Sequence, residues 1–285
     1  MKKIINKIAS VAVVAALAVS MSLGNLESIS AAQGMYDIVL SYDQMTEDAK
    51  SRVTGKNKQV EIKTSTLIPT YNYNQTTFNN YYNVESAKNR IKDKNGKLST
   101  VDGTCTEIAL TCYVEYMIRA KKMHFTKILT NDLPSTDQYR MHLYVFLPLV
   151  NYAIKQKYMI KDSDGIYRGT EAGESYQILS SFLNDRGIKC QLSGSRGGSV
   201  WTTLTSNIKA GNPVPGEFCA PNEERHTMLA NAVYTVTVNY KKGGKNKSET
   251  FKYIRVNNGW WSSTNSFQFV RRGYLESCVD CKILQ

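Results

Sequence analysis

Cys105, His226 and the pair Asn257-Asn258 are the residues whose types and order fit one piece of chemistry. That chemistry needs a thiol nucleophile, a base to take its proton and an amide to orient the base. Cys105 stands in "GTCTEIAL", behind the turn-former Gly103 and the small hydroxyl residue Thr104. A helix opening there would face its unpaired first-turn N–H groups toward the sulfur and favour the thiolate. Cys112 lies two turns further into the same run, where it reads as a small buried hydrophobe. The chain has three histidines. His124 falls in a Lys-rich connection, His142 begins or precedes a helix-like run, and His226 opens the strand-like "HTMLANAVY" beside the polar "APNEER". "YIRVNNGWW" places Asn257 and Asn258 at the end of the next strand-like piece, with tryptophans behind them. An Asn-Gly pair is also an ordinary turn signal. Large rings following it would shield an amide–imidazole hydrogen bond from water.

The elements that must position these residues follow from hydrophobic period. "CTEIALTCYVEYMIRAKK" puts Cys105, Ile108 and Cys112 along one side and gathers basic residues at its end, as a helix does. Three more helices are expected: "HLYVFLPLVNYAIKQKY" with Pro148 as kink or early-turn residue, "AGESYQILSSFLNDRGI" stopped by Gly187, and "SVWTTLTSNIKAGNPVP" ended by Gly211. From there the pattern becomes β-prone: "PVPGEFCA", "HTMLANAVYTVTVNY", "SETFKYIRVNN", "SFQFVRRGY" and "SCVDCKIL", with "KKGGKNK" as a hairpin loop. Helices followed by an antiparallel sheet give an α+β class. Before Cys105, residues 34–49 suggest a short strand and a polar helix start. The Asn-, Thr- and Tyr-rich stretch after them reads as an extended arm or part of a pro-region.

Residues 1–32 have the order of a secretory signal peptide: Lys2, Lys3 and Lys7, an apolar segment near 9–23, then small residues at Ala31 and Ala32. No other stretch is apolar and long enough to cross a bilayer. Removing this leader leaves 253 residues and lowers the formal charge from +12 to +10, through the loss of three lysines and one glutamate. That length can bury a full core. The basic balance suits an anionic cell wall or cell surface, whereas the scattered lysines form no nucleic-acid module. All six cysteines lie beyond the leader, too few for a disulfide scaffold of this size. For Cys278 and Cys281 in "SCVDC", a local disulfide or a link to another cysteine is expected rather than a metal site, since zinc would need two more ligands.

The ordered set "GTCTEIA", "GNPVPGEF", "HTMLANAVY" and "YIRVNNGWW" resembles the papain-like cysteine peptidases, in particular their secreted bacterial C39-like and streptopain-like branches, over roughly residues 65–272. The resemblance implies a papain-like fold, in which a central nucleophile helix of an N-terminal helical part packs on an antiparallel sheet. It implies a secreted peptidase acting on peptide or protein substrates through a thioester acyl-enzyme, with no cofactor. Carried over residue by residue, Cys105 is the nucleophile, His226 the base and Asn257 the orienting residue, with Asn258 as its alternative. Two departures stand out. Thr106 and Glu107 replace the Gly-Pro that usually follows the cysteine in C39-like members, and Ser99 stands where papain-like enzymes carry an oxyanion Gln. Gln75 resembles an earlier Gln of some C39-like members and is the candidate for that donor. The expected organisation is a leader over 1–32, an arm or propeptide over 33–100, and a catalytic domain over 101–285 that begins as early as residue 65. The competing readings are a catalytically silent papain-like surface-binding module and a cell-wall peptide amidase.

Overall fold

The computed structural model describes residues 38–70, 73–88, 100–120, 123, 141–169, 174–260 and 268–284. The expected leader and His124 lie outside them. The architecture is mixed α+β, with helices packed against a large antiparallel sheet.

The sheet is organised around β8 (Arg225–Lys242), which makes a long hairpin with β9 (Lys245–Asn257). Its tight turn holds Gly243 and Gly244 at φ +58° and +75°. Those angles suit a two-residue hairpin and are costly for residues with a side chain. Along its other edge β8 pairs first with β7 (Val214–Cys219) and, further on, with β2 (Lys56–Thr64). β11 (Leu275–Ile283) joins β7 to β6 (Cys190–Arg196), while β10 (Phe269–Arg271) joins β9 to β1 (Val39–Leu40). A separate small sheet holds β3 (Thr100–Asp102), β4 (Ile160–Lys161) and β5 (Ile166–Arg168).

Strand alternation divides the core between the two faces. On one face lie α3 (Cys105–Arg119), α2 (Gln75–Lys88), α4 (Leu147–Lys155) and α5 (Ser175–Asn184), packed on Leu229, Val279 and Cys281. On the other, α6 (Val200–Lys209) lays Val200, Leu204 and Ile208 against Phe218, Met228, Ala230, Ile254 and Cys278. α1 (Tyr42–Ser51) opens with a capping box, in which the Ser41 hydroxyl receives the Gln44 N–H and the Gln44 side chain receives the Ser41 N–H. It buries Met45 and Ala49 against Val236 and Val238. α1 and β2 are thus built into the main sheet.

The four sequence-expected helices and the strand-rich second half are present. Pro148 sits at the start of α4, directly after a π-helical turn at His142–Phe146. α2 differs from expectation, because its Asn, Thr and Tyr content argued for an extended arm. Tertiary packing overrides that propensity: Phe78 and Tyr82 are fully buried, and the Tyr82 hydroxyl donates to Asn151 at 2.9 Å. Cys278 and Cys281 also differ. Three residues apart on one strand, they project to opposite faces, Cys278 toward α6 and Cys281 toward Tyr113, and all six cysteines are free thiols. Among the described residues no helix is long and apolar enough to cross a membrane.

Candidate functional site

The start of α3 is fixed by the three residues before it. The Asp102 carboxylate accepts the Gly103 N–H at 2.8 Å, and Gly103 takes φ +64°, which turns the chain sharply out of β3. The Thr104 hydroxyl is tied to Asn79 instead of capping the helix, while the Thr104 carbonyl accepts the first helical bond from Ile108 at 3.0 Å. Cys105 is therefore the first residue of the helix.

Around the Cys105 thiol stand the N–H of Thr227, the N–H of Thr106 and the Thr106 hydroxyl, all of which favour its anion. Burial outweighs them and, helped by the nearby Glu107 carboxylate, pushes the thiol up to about 11. The helix start alone would have lowered it; desolvation at this half-buried position reverses that expectation. Thr106 and Thr227 are joined through their hydroxyls at 2.9 Å, locking the first turn of α3 onto the first turn-facing residues of β8. Cys112 is likewise raised to about 12 by burial, and lies among core side chains.

His226 immediately precedes Thr227 at the start of β8, and the two side chains alternate across the strand. The imidazole Nε2 lies 2.6 Å from the main-chain carbonyl of Asn258. A carbonyl only accepts, so Nε2 carries the proton and Nδ1 keeps the lone pair. Trp260 stacks on the ring, with centroids 4.5 Å apart and planes 22° from parallel. Burial holds the imidazole down at about 4, opposed by the Asn258 carbonyl, which favours the charged form.

Asn257 does not occupy the place expected for it. It pairs with Leu229 across the β8–β9 ladder, which puts it on the face of Thr227 and Leu229, one residue out of step with His226. Its amide donates to the Thr70 hydroxyl at 2.7 Å and accepts from Asn231 at 3.3 Å. The imidazole contact comes from Asn258, the alternative, and from its main chain instead of its amide. The Asn258 Oδ1 accepts the Trp260 N–H at 3.0 Å, and its Nδ2 is buried without a partner.

The Asn258-Gly259-Trp260 turn is held from two sides. Gly259, at φ +77°, accepts the Gln75 N–H at 2.6 Å, and the Asn74 amide donates to the Trp260 carbonyl. A Cβ on Gly259 would come within 3.2 Å of Ile108 Cγ2, so only glycine lets the turn lie on the first turn of α3. Gln75 is thereby brought to the region of Cys105, with its Oε1 buried and without a hydrogen-bond partner. His142 is elsewhere: it is fully buried, edge-on to Phe78 and beside Phe146.

The sequence reading missed Thr106 and Thr227 as a pair, and it missed Glu217. The last carried a signal, a lone carboxylate in the apolar strand "PVPGEF". Among the described residues no group of three or more metal-ligating side chains could hold a metal ion. Comparison with family models, with curated proteins and with solved structures finds no match for the chain.

Proposed function

We propose that the chain is a papain-like thiol hydrolase of peptide bonds, exported and acting on peptide or protein substrates outside the cell. What supports the reading is the arrangement of one helix start and the strand start beside it. The Cys105 thiol meets the N–H of Thr227, whose neighbour His226 presents an imidazole fixed by Asn258 and covered by Trp260.

In this mechanism the resting pair is a neutral thiol and a neutral imidazole, as burial of both favours. Substrate brings its carbonyl carbon to the sulfur. As the S–C bond forms, the thiol proton passes to Nδ1, the nitrogen that Asn258 leaves free. The first-turn N–H groups of α3 and the Gln75 amide N–H stabilise the oxyanion. The imidazolium then gives its proton to the leaving amine, and the C–N bond breaks to leave a thioester. Water, deprotonated by the same nitrogen, releases the acid and restores the thiol.

A peptidyl epoxide or vinyl sulfone tests the reading. Labelling is expected at Cys105 alone, lost in Cys105→Ala and strongly slowed in His226→Ala. Hydrolysis retained by Cys105→Ala overturns it. One observation favours a silent binding module instead: a thiol near 11 beside an imidazole near 4 is far from a preformed ion pair. On that reading the probe leaves Cys105 unlabelled at neutral pH.

A further inference from the structure

A lateral row of polar side chains runs across the sheet from the candidate nucleophile. Thr227 on β8 pairs with Glu217 on β7, Glu217 with Ser277 on β11, and Ser277 with Arg196 on β6. Directly paired residues share a face, so the row lies on the α3 side, beginning at the Thr106–Thr227 contact beside Cys105. At about 4.8 Å per strand, Glu217 is one spacing and Ser277 two spacings from Thr227. Those distances match side chains one to three residues along an extended peptide from a bond held at Cys105.

Glu217 is the unusual member. It is only 7% exposed, in a strand otherwise apolar on both sides. Its Oε2 accepts from the Ser277 hydroxyl at 2.7 Å, and among the described residues no lysine, arginine or histidine forms an ion pair with it. Arg225, which feels the Glu217 charge at longer range, is engaged by Glu276 at 2.8 Å. A carboxylate accepts through both oxygens, so a cationic group can bind it beside the Ser277 hydroxyl. Next to it, a cavity of about 440 Å³ opens between the first turn of α5 and the strand ends. Tyr176, Gln177, Gly194, Arg196 and Ser277 are in its wall. Ser277 is thus shared between the cavity and Glu217.

We infer that Glu217 and Ser277 form a substrate subsite beside Cys105 that takes a cationic side chain, of the lysine or arginine type, from the bound peptide. This rests on the thiol-hydrolase reading for its purpose, but its test does not depend on turnover. Full-length Cys105→Ala, which cannot consume substrate, is titrated with peptides in which a single lysine is moved through successive positions, each matched by a norleucine peptide of nearly equal shape. Lysine at one position is expected to bind about tenfold or more tightly than norleucine. Adding Glu217→Gln, which keeps size and the Ser277 contact, should remove that preference while the norleucine peptides bind as before. Equal binding of lysine and norleucine at every position overturns the inference, as does a preference that survives Glu217→Gln. Tighter binding of a glutamate series would also overturn it, assigning the subsite to Arg196. Hydrolysis of the lysine peptides by the unmodified chain is read separately. If it is absent while the lysine preference in binding persists, the hydrolase reading fails and the subsite stands.

Discussion

The hydroxyls of Thr106 and Thr227 meet at 2.9 Å, both residues buried, and this contact ties the start of α3 to the start of β8. It also explains why threonine serves after Cys105 where the resembled peptidases carry glycine: its hydroxyl reaches both the thiol and the sheet. Thr106→Val leaves the Thr227 hydroxyl unpaired and should cost about 1–2 kcal/mol in urea unfolding. Thr106→Val combined with Thr227→Val should cost clearly less than the sum of the two single variants. Strict additivity would show that the contact contributes nothing.

Two buried groups shifted in opposite directions should hide one another's pH dependence. His226 titrates near 4 when folded against an ordinary value of 6.5. Between those values the unfolded chain binds the extra proton, so this contribution is full above 6.5 and is lost as pH falls toward 4. Glu115 does the reverse. Burial, only partly countered by Arg119, raises its carboxyl from 4.5 to about 7, so its contribution is full below 4.5 and is lost as pH rises to 7. Each amounts to roughly 3 kcal/mol, with opposite slopes over nearly the same window. Unfolding free energy measured from pH 4.5 to 6.5 should therefore fall with rising pH in His226→Gln and rise in Glu115→Gln. Parallel profiles for both variants would contradict the assignment.

Trp260 covers the imidazole and keeps water from its bond to Asn258. Trp260→Ala should let solvent in, moving the His226 titration from about 4 toward 6.5, which proton NMR of the ring reads directly. The loss of stacking should also cost about 1 kcal/mol. An unchanged titration would mean that other walls of the site exclude the water.

How far these features could be read in the sequence depended on which force set them. Periodicity and glycine stops revealed α3, α5 and α6, because their apolar stripes face one core and Gly187 and Gly211 take positive φ. α2 was hidden, since its helix rests on the burial of Phe78 and Tyr82 by distant elements, and local propensity carries no record of that. Cys105 and His226 could be proposed from chain order. The choice between Asn257 and Asn258 could not, because it depends on β8–β9 register and a single residue's shift exchanges the faces. The Glu217–Ser277 pairing likewise spans three elements and exists only once the strand order is known.

Asp48 anchors the N-terminal arm to the far edge of the sheet. On α1, its carboxylate accepts from Arg271 Nε at 2.9 Å, from a second Arg271 nitrogen, and from the Tyr253 hydroxyl. Beside it, Met45, Ala49 and Val53 cover Val236 and Val238, while β2 pairs with β8 from Lys56↔Lys241 to Thr64↔Tyr234. Removing a segment that fills a core and completes a strand ladder exposes both apolar surface and unpaired backbone. Asp48→Ala should cost about 2 kcal/mol, because two donors lose a charged acceptor. A chain beginning at residue 66 should lose cooperative thermal unfolding and bind the dye ANS. If the truncated chain instead unfolds cooperatively and labels Cys105 with the peptidyl probe, then α1 and β2 are dispensable and the arm behaves as a removable propeptide.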